Sequence, residues 1–225
     1  MNEKLQTTLP PNIHTCAASA IGGGSILSVA LMSHHPSVDA HDTSGFIAGV
    51  AHELPLNGFV HGGMIGMALV IAFGFYGFAT ILGPGMAWVR AGVVCYAVGT
   101  VAMIGAALTN GFVIPSFSAR FVGESQEAID AMSPSLILAS EAGFTCARLG
   151  VVLTSSAFLA WSLALLPRRG LAAVTGAVGL LVGGASLVGL ATGHLEMTVH
   201  GFSAFVVSQT VWSVLVSVVL LQRKL

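Results

Sequence analysis

Six long apolar stretches, separated by short polar connections, constrain this chain more than any other feature of its sequence. They lie at residues 15–33, 58–82, 88–110, 143–166, 171–192 and 202–221. A helix needs about 20 apolar residues to cross the roughly 30 Å hydrocarbon core of a bilayer, because each residue advances about 1.5 Å. The sequence therefore predicts an all-α, polytopic membrane bundle of about six transmembrane helices in a single domain.

The scarcity of charge supports the same fold class. Only 8% of the residues are charged and 55% are hydrophobic, whereas about a quarter of the residues in a soluble domain are charged. Because so few charges cannot cover a water-facing surface, we expect the protein to be surrounded by the lipid bilayer. A net charge of -1 leaves no general basic surface for nucleic acid, which is excluded as a partner.

The distribution of basic residues predicts the orientation of the bundle, because positively charged loops stay in the cytoplasm. Six of the eight basic residues fall on one side if the N-terminus is cytoplasmic: Lys4, Arg90, Arg168, Arg169, Arg223 and Lys224. We therefore expect a multi-pass protein of the inner (plasma) membrane with both termini in the cytoplasm. Residues 34–57, 111–142 and 193–201 are then external, with a short interfacial helix around residues 46–52 and an amphipathic surface segment within 111–142.

Glycines are concentrated in the second and fifth apolar stretches. Helices in lipid associate through close packing of small residues, since lipid supplies no hydrophobic reason for them to meet. These two stretches are therefore predicted to provide inner contacts of the bundle. The glycines concerned are Gly62, Gly63, Gly66, Gly74, Gly77, Gly176, Gly179, Gly183 and Gly184.

Histidine is distributed unevenly along the chain. Seven of the eight fall on the predicted outer side: His34, His35, His41, His52, His61, His194 and His200. Glu53, Asn57 and His61 are spaced four residues apart, and Glu196 and His200 repeat this spacing, so each set shares one face of a helix. A carboxylate one turn from an imidazole either binds a metal with it or fixes its tautomer.

These pairs predict a metal or haem site at the outer, periplasm-facing boundary. Imidazole suits copper, zinc and iron, and two opposed histidines such as His61 and His200 would hold a b-type haem. The predicted ligands are His61, His200, Glu196, His194, Glu53 and His52. A layer of other polar residues is predicted at the same level: Asn57, Asn110, Glu141 and Arg148. The alternative is simple interfacial packing, since a histidine near the boundary reaches water at small cost.

Four functions are compatible with these features. The first is an accessory or redox and metal-handling subunit within a larger membrane complex or homo-oligomer. The second is an intramembrane hydrolase in which a metal activates water. The third is a small transporter with Arg148 and the histidine layer as an outer gate, although no charged residue lies near mid-depth, where ion-coupled carriers usually place one. The fourth is a scaffold subunit without a site.

Overall fold

The computed structural model describes residues 12–38, 42–223 and 225, and within these ranges the regular structure is entirely helical. The helices are α1 (Ile13–Met32), α2 (Thr43–His52), α3 (Leu54–Leu82), α4 (Ala87–Leu108), α5 (Ile114–Ser118), α6 (Gln126–Leu165), α7 (Leu171–Ala191) and α8 (Val199–Leu221). Six helices of the described chain are long and apolar enough to cross a membrane. This confirms the predicted all-α membrane bundle, while the cytoplasmic location of the termini stays a prediction.

Two helices extend well beyond the apolar stretches that predicted them. α6 has 40 residues, about 60 Å at 1.5 Å per residue, and begins 17 residues before the predicted span. The Ser125 hydroxyl accepts a hydrogen bond from the Ala128 amide at 3.3 Å and caps its start. α4 continues through a π-helical turn (Thr109–Val113) into α5 and a 3₁₀ turn (Ala119–Phe121). Most of the segment 111–142 is therefore helical.

The spanning helices close into a ring. α1 packs against α3 and α8, α3 against α4, α4 against α6, α6 against α7, and α7 against α8. Glycines make several of these contacts close: Gly74 of α3 lies against Ile21 of α1, and Gly183 of α7 lies against the Ser155 carbonyl of α6. The glycine-rich second and fifth stretches thus form interfaces as predicted, and their main partners are α1 and α6.

An aromatic cluster fills the half of the bundle nearer the chain termini. Neighbouring ring centroids lie between 4.1 and 6.4 Å apart. Trp161 Nε1 donates to the Val89 carbonyl at 3.2 Å, and Trp212 Nε1 donates to the Thr175 carbonyl at 3.0 Å. These bonds satisfy the buried indole N–H groups and tie α6 to α4 and α8 to α7. The cluster consists of Phe75, Phe78, Tyr96, Phe158, Trp161 and Trp212.

A second apolar core lies at the opposite end of the bundle, where α2, α5 and the first turns of α6 pack together. We call these elements the cap. Their buried residues are Ile47, Val50, Ile114, Ile129, Met132 and Leu136. The Asp42 carboxylate accepts a hydrogen bond from the Gly45 amide at 2.6 Å and caps the N-terminus of α2. The short helix predicted around residues 46–52 is therefore present as α2, packed into the cap.

Candidate functional site

The helix ring surrounds a cavity of about 460 Å³ that extends from the cap to the aromatic cluster. Along α3 its lining runs from Asn57 to Ile71, about 20 Å at 1.5 Å per residue, which is most of the thickness of a hydrocarbon core. The described lining residues come from the cap, from its flanking segments and from α1, α3, α4, α6 and α8. This volume lies within the range of typical small-molecule sites.

Most of the cavity wall is apolar, although several hydroxyl groups and the Gln209 amide, which donates to Thr154 Oγ1 at 3.3 Å, also line it. Ser28 donates to the Gly24 carbonyl at 2.9 Å, and Thr100 donates to the Tyr96 carbonyl at 2.8 Å, both within their own helices. These internal bonds use the hydroxyl protons, so they are not free for a ligand. The remaining wall is largely aliphatic, thioether and aromatic: Met64, Ile65, Met103, Ile104, Phe144, Phe158, Phe202 and Phe205.

Four polar side chains gather at the cap end of the cavity, and we call them the mouth: His35, Asn57, His61 and Asn110. His61 is only 4% exposed and Asn57 only 7%. The rings of His35 and His61 meet edge to face, with centroids 4.9 Å apart and an interplanar angle of 67°. The mouth therefore combines two imidazoles and two amides at one end of an apolar space.

The π-helical turn brings α4 up to the mouth. Asn110 and Gly111 both belong to it, and Gly111 lies so close to His61 that a Cβ at position 111 would overlap the Cβ and Cγ atoms of the imidazole side chain. Asn110 packs on the other side against Gly143 of α6. Single π turns inside α-helices are rare and frequently occur at functional sites. Here the turn fits a helix backbone directly against a buried histidine.

Backbone carbonyls determine the tautomer of both histidines. His35 Nδ1 donates to the Pro36 carbonyl at 2.8 Å, and His61 Nδ1 donates to the Asn57 carbonyl at 3.0 Å. A carbonyl oxygen only accepts, so each neutral ring carries its proton on Nδ1 and its lone pair on Nε2. Burial lowers the pKa of His35, and the hydrogen bond to Pro36 offsets part of this effect. The mouth thus contributes two Nε2 acceptors, and among the described residues neither nitrogen has a partner.

Formal charge is missing from the lining. The described residues that border the cavity include no Asp, Glu, Lys or Arg. The titratable groups among them are His35, His61 and Tyr96. An ionised ligand would consequently lose its hydration without gaining a counter-charge, which is costly in a buried site. The cavity is suited to neutral molecules.

The structure separates the residues that the sequence predicted as metal ligands. His61 lies in the mouth, whereas His194, Glu196 and His200 are exposed and are absent from the cavity lining. His52 Nδ1 lies 3.3 Å from Glu53 Oε1, in a pair whose histidine is largely exposed. Over residues 12–38, 42–223 and 225, no three His, Cys, Asp or Glu side chains lie close enough to hold a metal ion. The six predicted ligands therefore do not form one coordination shell.

The predicted polar layer divides in the same way. Asn57 and Asn110 line the mouth, while Glu141 and Arg148 are exposed on the outer surface of α6. Those two form no ion pair in the described part of the chain. An Arg148 on the outside of the ring does not serve as the gate that the transporter hypothesis assigned to it. Its long side chain is suited to reach lipid head groups near the boundary.

His35 lines the mouth but is not among the ligands or polar residues predicted from the sequence. One signal was present: 20 residues counted from the start of the first apolar stretch reach His35, the same outer level as His61. The site therefore offers two acceptors and two amides above an apolar cavity. No family model matches this chain, and no curated protein or solved structure is significantly similar to it.

Proposed function

We propose that this chain is a binding protein of the inner (plasma) membrane that holds a small, neutral, largely apolar molecule inside its helix ring. The observation that carries the proposal is the cavity itself: about 460 Å³, without a charged residue among its described lining, and with two imidazoles and two amides gathered at one end. Concave, mostly apolar sites with a few convergent polar groups are typical of small-molecule binding.

The size of the cavity is an energetic argument for an occupant. The wall residues make few contacts across a space of about 460 Å³, and each missing contact forfeits dispersion energy. Water is a poor filler, because it needs several polar partners and the walls offer few. A molecule with a large apolar surface recovers the lost contacts. The surrounding bilayer is a reservoir of such molecules.

Ligand binding is common to two of the functions that the sequence suggested. An accessory subunit of a larger complex or homo-oligomer would hold the molecule for a partner, and a transporter would release it on the other side. Neither role requires His194, Glu196 or His200, which are exposed. The hydrolase hypothesis has less support, because a carboxylate base is missing from the described lining.

Identifying the bound molecule tests the proposal. The protein is purified in a mild detergent, extracted with organic solvent and analysed by mass spectrometry, beside two variants with matched changes. Ala107→Phe places a ring in the cavity, whose lining includes Ala107, whereas Ala142→Phe adds the same ring on the exposed side of α6. We expect a neutral molecule in near-stoichiometric amount in the wild type and in Ala142→Phe, and its loss from Ala107→Phe. Equal recovery from both variants contradicts the proposal.

A metal ion at the mouth is a second candidate, favoured by one observation. Histidines that bind metals usually donate their other N–H to a carbonyl or carboxylate, and His35 and His61 both do so. Copper and zinc suit imidazole ligands. These two rings cannot hold a haem iron between them. Two metal–nitrogen bonds of about 2 Å each would place the ring centroids farther apart than the observed 4.9 Å.

Elemental analysis tests this second candidate. Protein purified without chelator should contain copper or zinc in near-stoichiometric amount, and His35→Ala or His61→Ala should abolish it. Metal-free wild-type protein, or retention of the metal by both variants, would eliminate the candidate.

A further inference from the structure

We infer that the molecule bound in the cavity has a hydroxyl head group, which donates its hydrogen bond to an imidazole of the mouth while its hydrocarbon part extends toward Tyr96 and Phe158. The inference rests on the proposed binding function and specifies its ligand class. That class is a neutral alcohol or phenol with a long or polycyclic hydrocarbon body.

Two acceptors of the mouth have no hydrogen-bond partner among the described residues. The Nδ1–H groups of His35 and His61 are already bound to carbonyls, which leaves the two Nε2 lone pairs as the groups available to a ligand. An ether, ester or ketone head group only accepts, so it would leave both nitrogens unpaired. A hydroxyl group supplies the missing donor.

The two amides complete the match. Asn57 and Asn110 line the same end of the cavity, and a carboxamide N–H₂ donates to the lone pairs of a hydroxyl oxygen. One hydroxyl group can therefore donate to an imidazole and accept from an amide at the same time. Carboxylate, phosphate and ammonium head groups fit poorly, because the described lining has no charge to pair with them.

The shape of the cavity orients the ligand. The polar residues of the mouth lie at the cap end, whereas Tyr96 and Phe158, two members of the aromatic cluster, line the other end. The polar groups there include Gln209, whose Nε2 already donates to Thr154 Oγ1 at 3.3 Å. A molecule that places its chain at the mouth would leave the histidines unpaired. The head-to-cap orientation pairs a histidine and keeps the hydrocarbon part on the rings.

Two isomeric probes test the inference directly. Dodecanol and methyl undecyl ether have the same atoms and nearly the same length, but only dodecanol donates a hydrogen bond. Chelator-treated full-length protein is titrated with each probe at a matched mole fraction in detergent, and occupancy is measured by native mass spectrometry. We expect wild-type protein to bind dodecanol up to about tenfold more tightly than the ether, as one net hydrogen bond allows.

Variants locate the hydroxyl group. His35→Phe and His61→Phe should each weaken the preference for dodecanol while leaving the binding of the ether intact, and the double variant should abolish the preference. His34→Phe is the matched control, since His34 is the exposed neighbour of His35, and it should behave as the wild type. Retained binding of the ether shows that a variant is folded. If His61→Phe does not fold, His35→Phe, which lies outside the helices, still decides the outcome.

The outcomes separate this inference from the proposal beneath it. Equal binding of the two isomers by wild-type protein overturns the hydroxyl inference and leaves the binding function standing. A preference that survives in the double variant also overturns it, because the hydroxyl group then lies elsewhere in the cavity. Failure of the wild type to bind either isomer or any co-purified neutral molecule overturns the binding function itself.

Discussion

Replacing Gly111 by alanine should displace His61 and disable the mouth. Gly111 lies in the π-helical turn, and the Cβ of an alanine there would overlap the Cβ and Cγ atoms of His61. Non-bonded carbon atoms prefer a separation of about 3.5–4.0 Å, so the ring or the turn has to move by roughly 1 Å or more. His61 is only 4% exposed and lines the cavity, so its displacement changes the geometry of the mouth.

The displacement has two measurable consequences. Overpacking of this kind typically destabilises a protein by about 1–3 kcal/mol. The bond from His61 Nδ1 to the Asn57 carbonyl is 3.0 Å long, and a shift of about 1 Å takes it beyond hydrogen-bonding range. Without that bond the tautomer of His61 is no longer determined. The preference for a hydroxyl ligand, which is about tenfold at most in the wild type, should therefore also fall.

Gly105→Ala is the control, because it makes the same change six residues earlier in α4. There a Cβ would meet Cys146 Sγ at 3.5 Å, an ordinary contact, and alanine favours a helix over glycine by up to about 1 kcal/mol. Thermal unfolding is followed by tryptophan fluorescence, since Trp161 and Trp212 are buried. We expect Gly105→Ala to melt at or above the wild-type temperature and Gly111→Ala to melt below it. Equal melting temperatures together with an unchanged hydroxyl preference would show that Gly111 does not hold His61 in place.

Two further predictions concern the two ends of the bundle. Arg168 Nη2 donates to the Leu82 carbonyl at 3.2 Å at the C-terminus of α3, so Arg168→Ala should cost about 1 kcal/mol in chemical unfolding, while the exposed Arg169→Ala should cost little. In the segment after α1, burial lowers the pKa of His35 below 6.5, so the unfolded segment binds protons more readily than the folded one. The stability of this segment should therefore be full above pH 6.5 and decline below it, read by hydrogen exchange of residues 33–38. Acid sensitivity that persists in His35→Phe would contradict this assignment.

The membrane fold could be predicted from the sequence because its main constraint is local. Inside a bilayer every backbone N–H and C=O must be satisfied within its own segment, so the length and hydropathy of a stretch are enough to identify a spanning helix. The cap has no such constraint. Ile129, Met132 and Leu136 are buried because α2 and α5 cover them. This burial depends on tertiary contacts between segments that are distant in the sequence. Sequence reasoning therefore treated this part of α6 as surface.

The level of the site along the bundle could be predicted from the sequence, but the directions in which the side chains point could not. Counting residues from the predicted cytoplasmic ends placed His61 and Asn110 at one level, and both line the mouth. The choice of His200 as the partner of His61 failed because helix rotation is set by packing. Val199 and Phe202 face the cavity, and His200 lies about 100° around α8 from Val199. The position beside His61 belongs to the segment after α1, and only the order of helices in the ring determines that.

The cavity follows from the arrangement of the helices and from the side chains that face inward. Five of the six spanning helices line the cavity, and helices about 10 Å across leave a central space that backbones alone cannot fill. In one half of the bundle large rings such as Trp161 occupy that space, whereas in the half beneath the cap small residues such as Ala68 and Ala107 line it. A chain selected for stability alone would place larger side chains there. We therefore expect Ala107→Phe, once emptied of ligand, to unfold at a higher temperature than ligand-free wild-type protein, because the ring recovers contacts that the open cavity lacks.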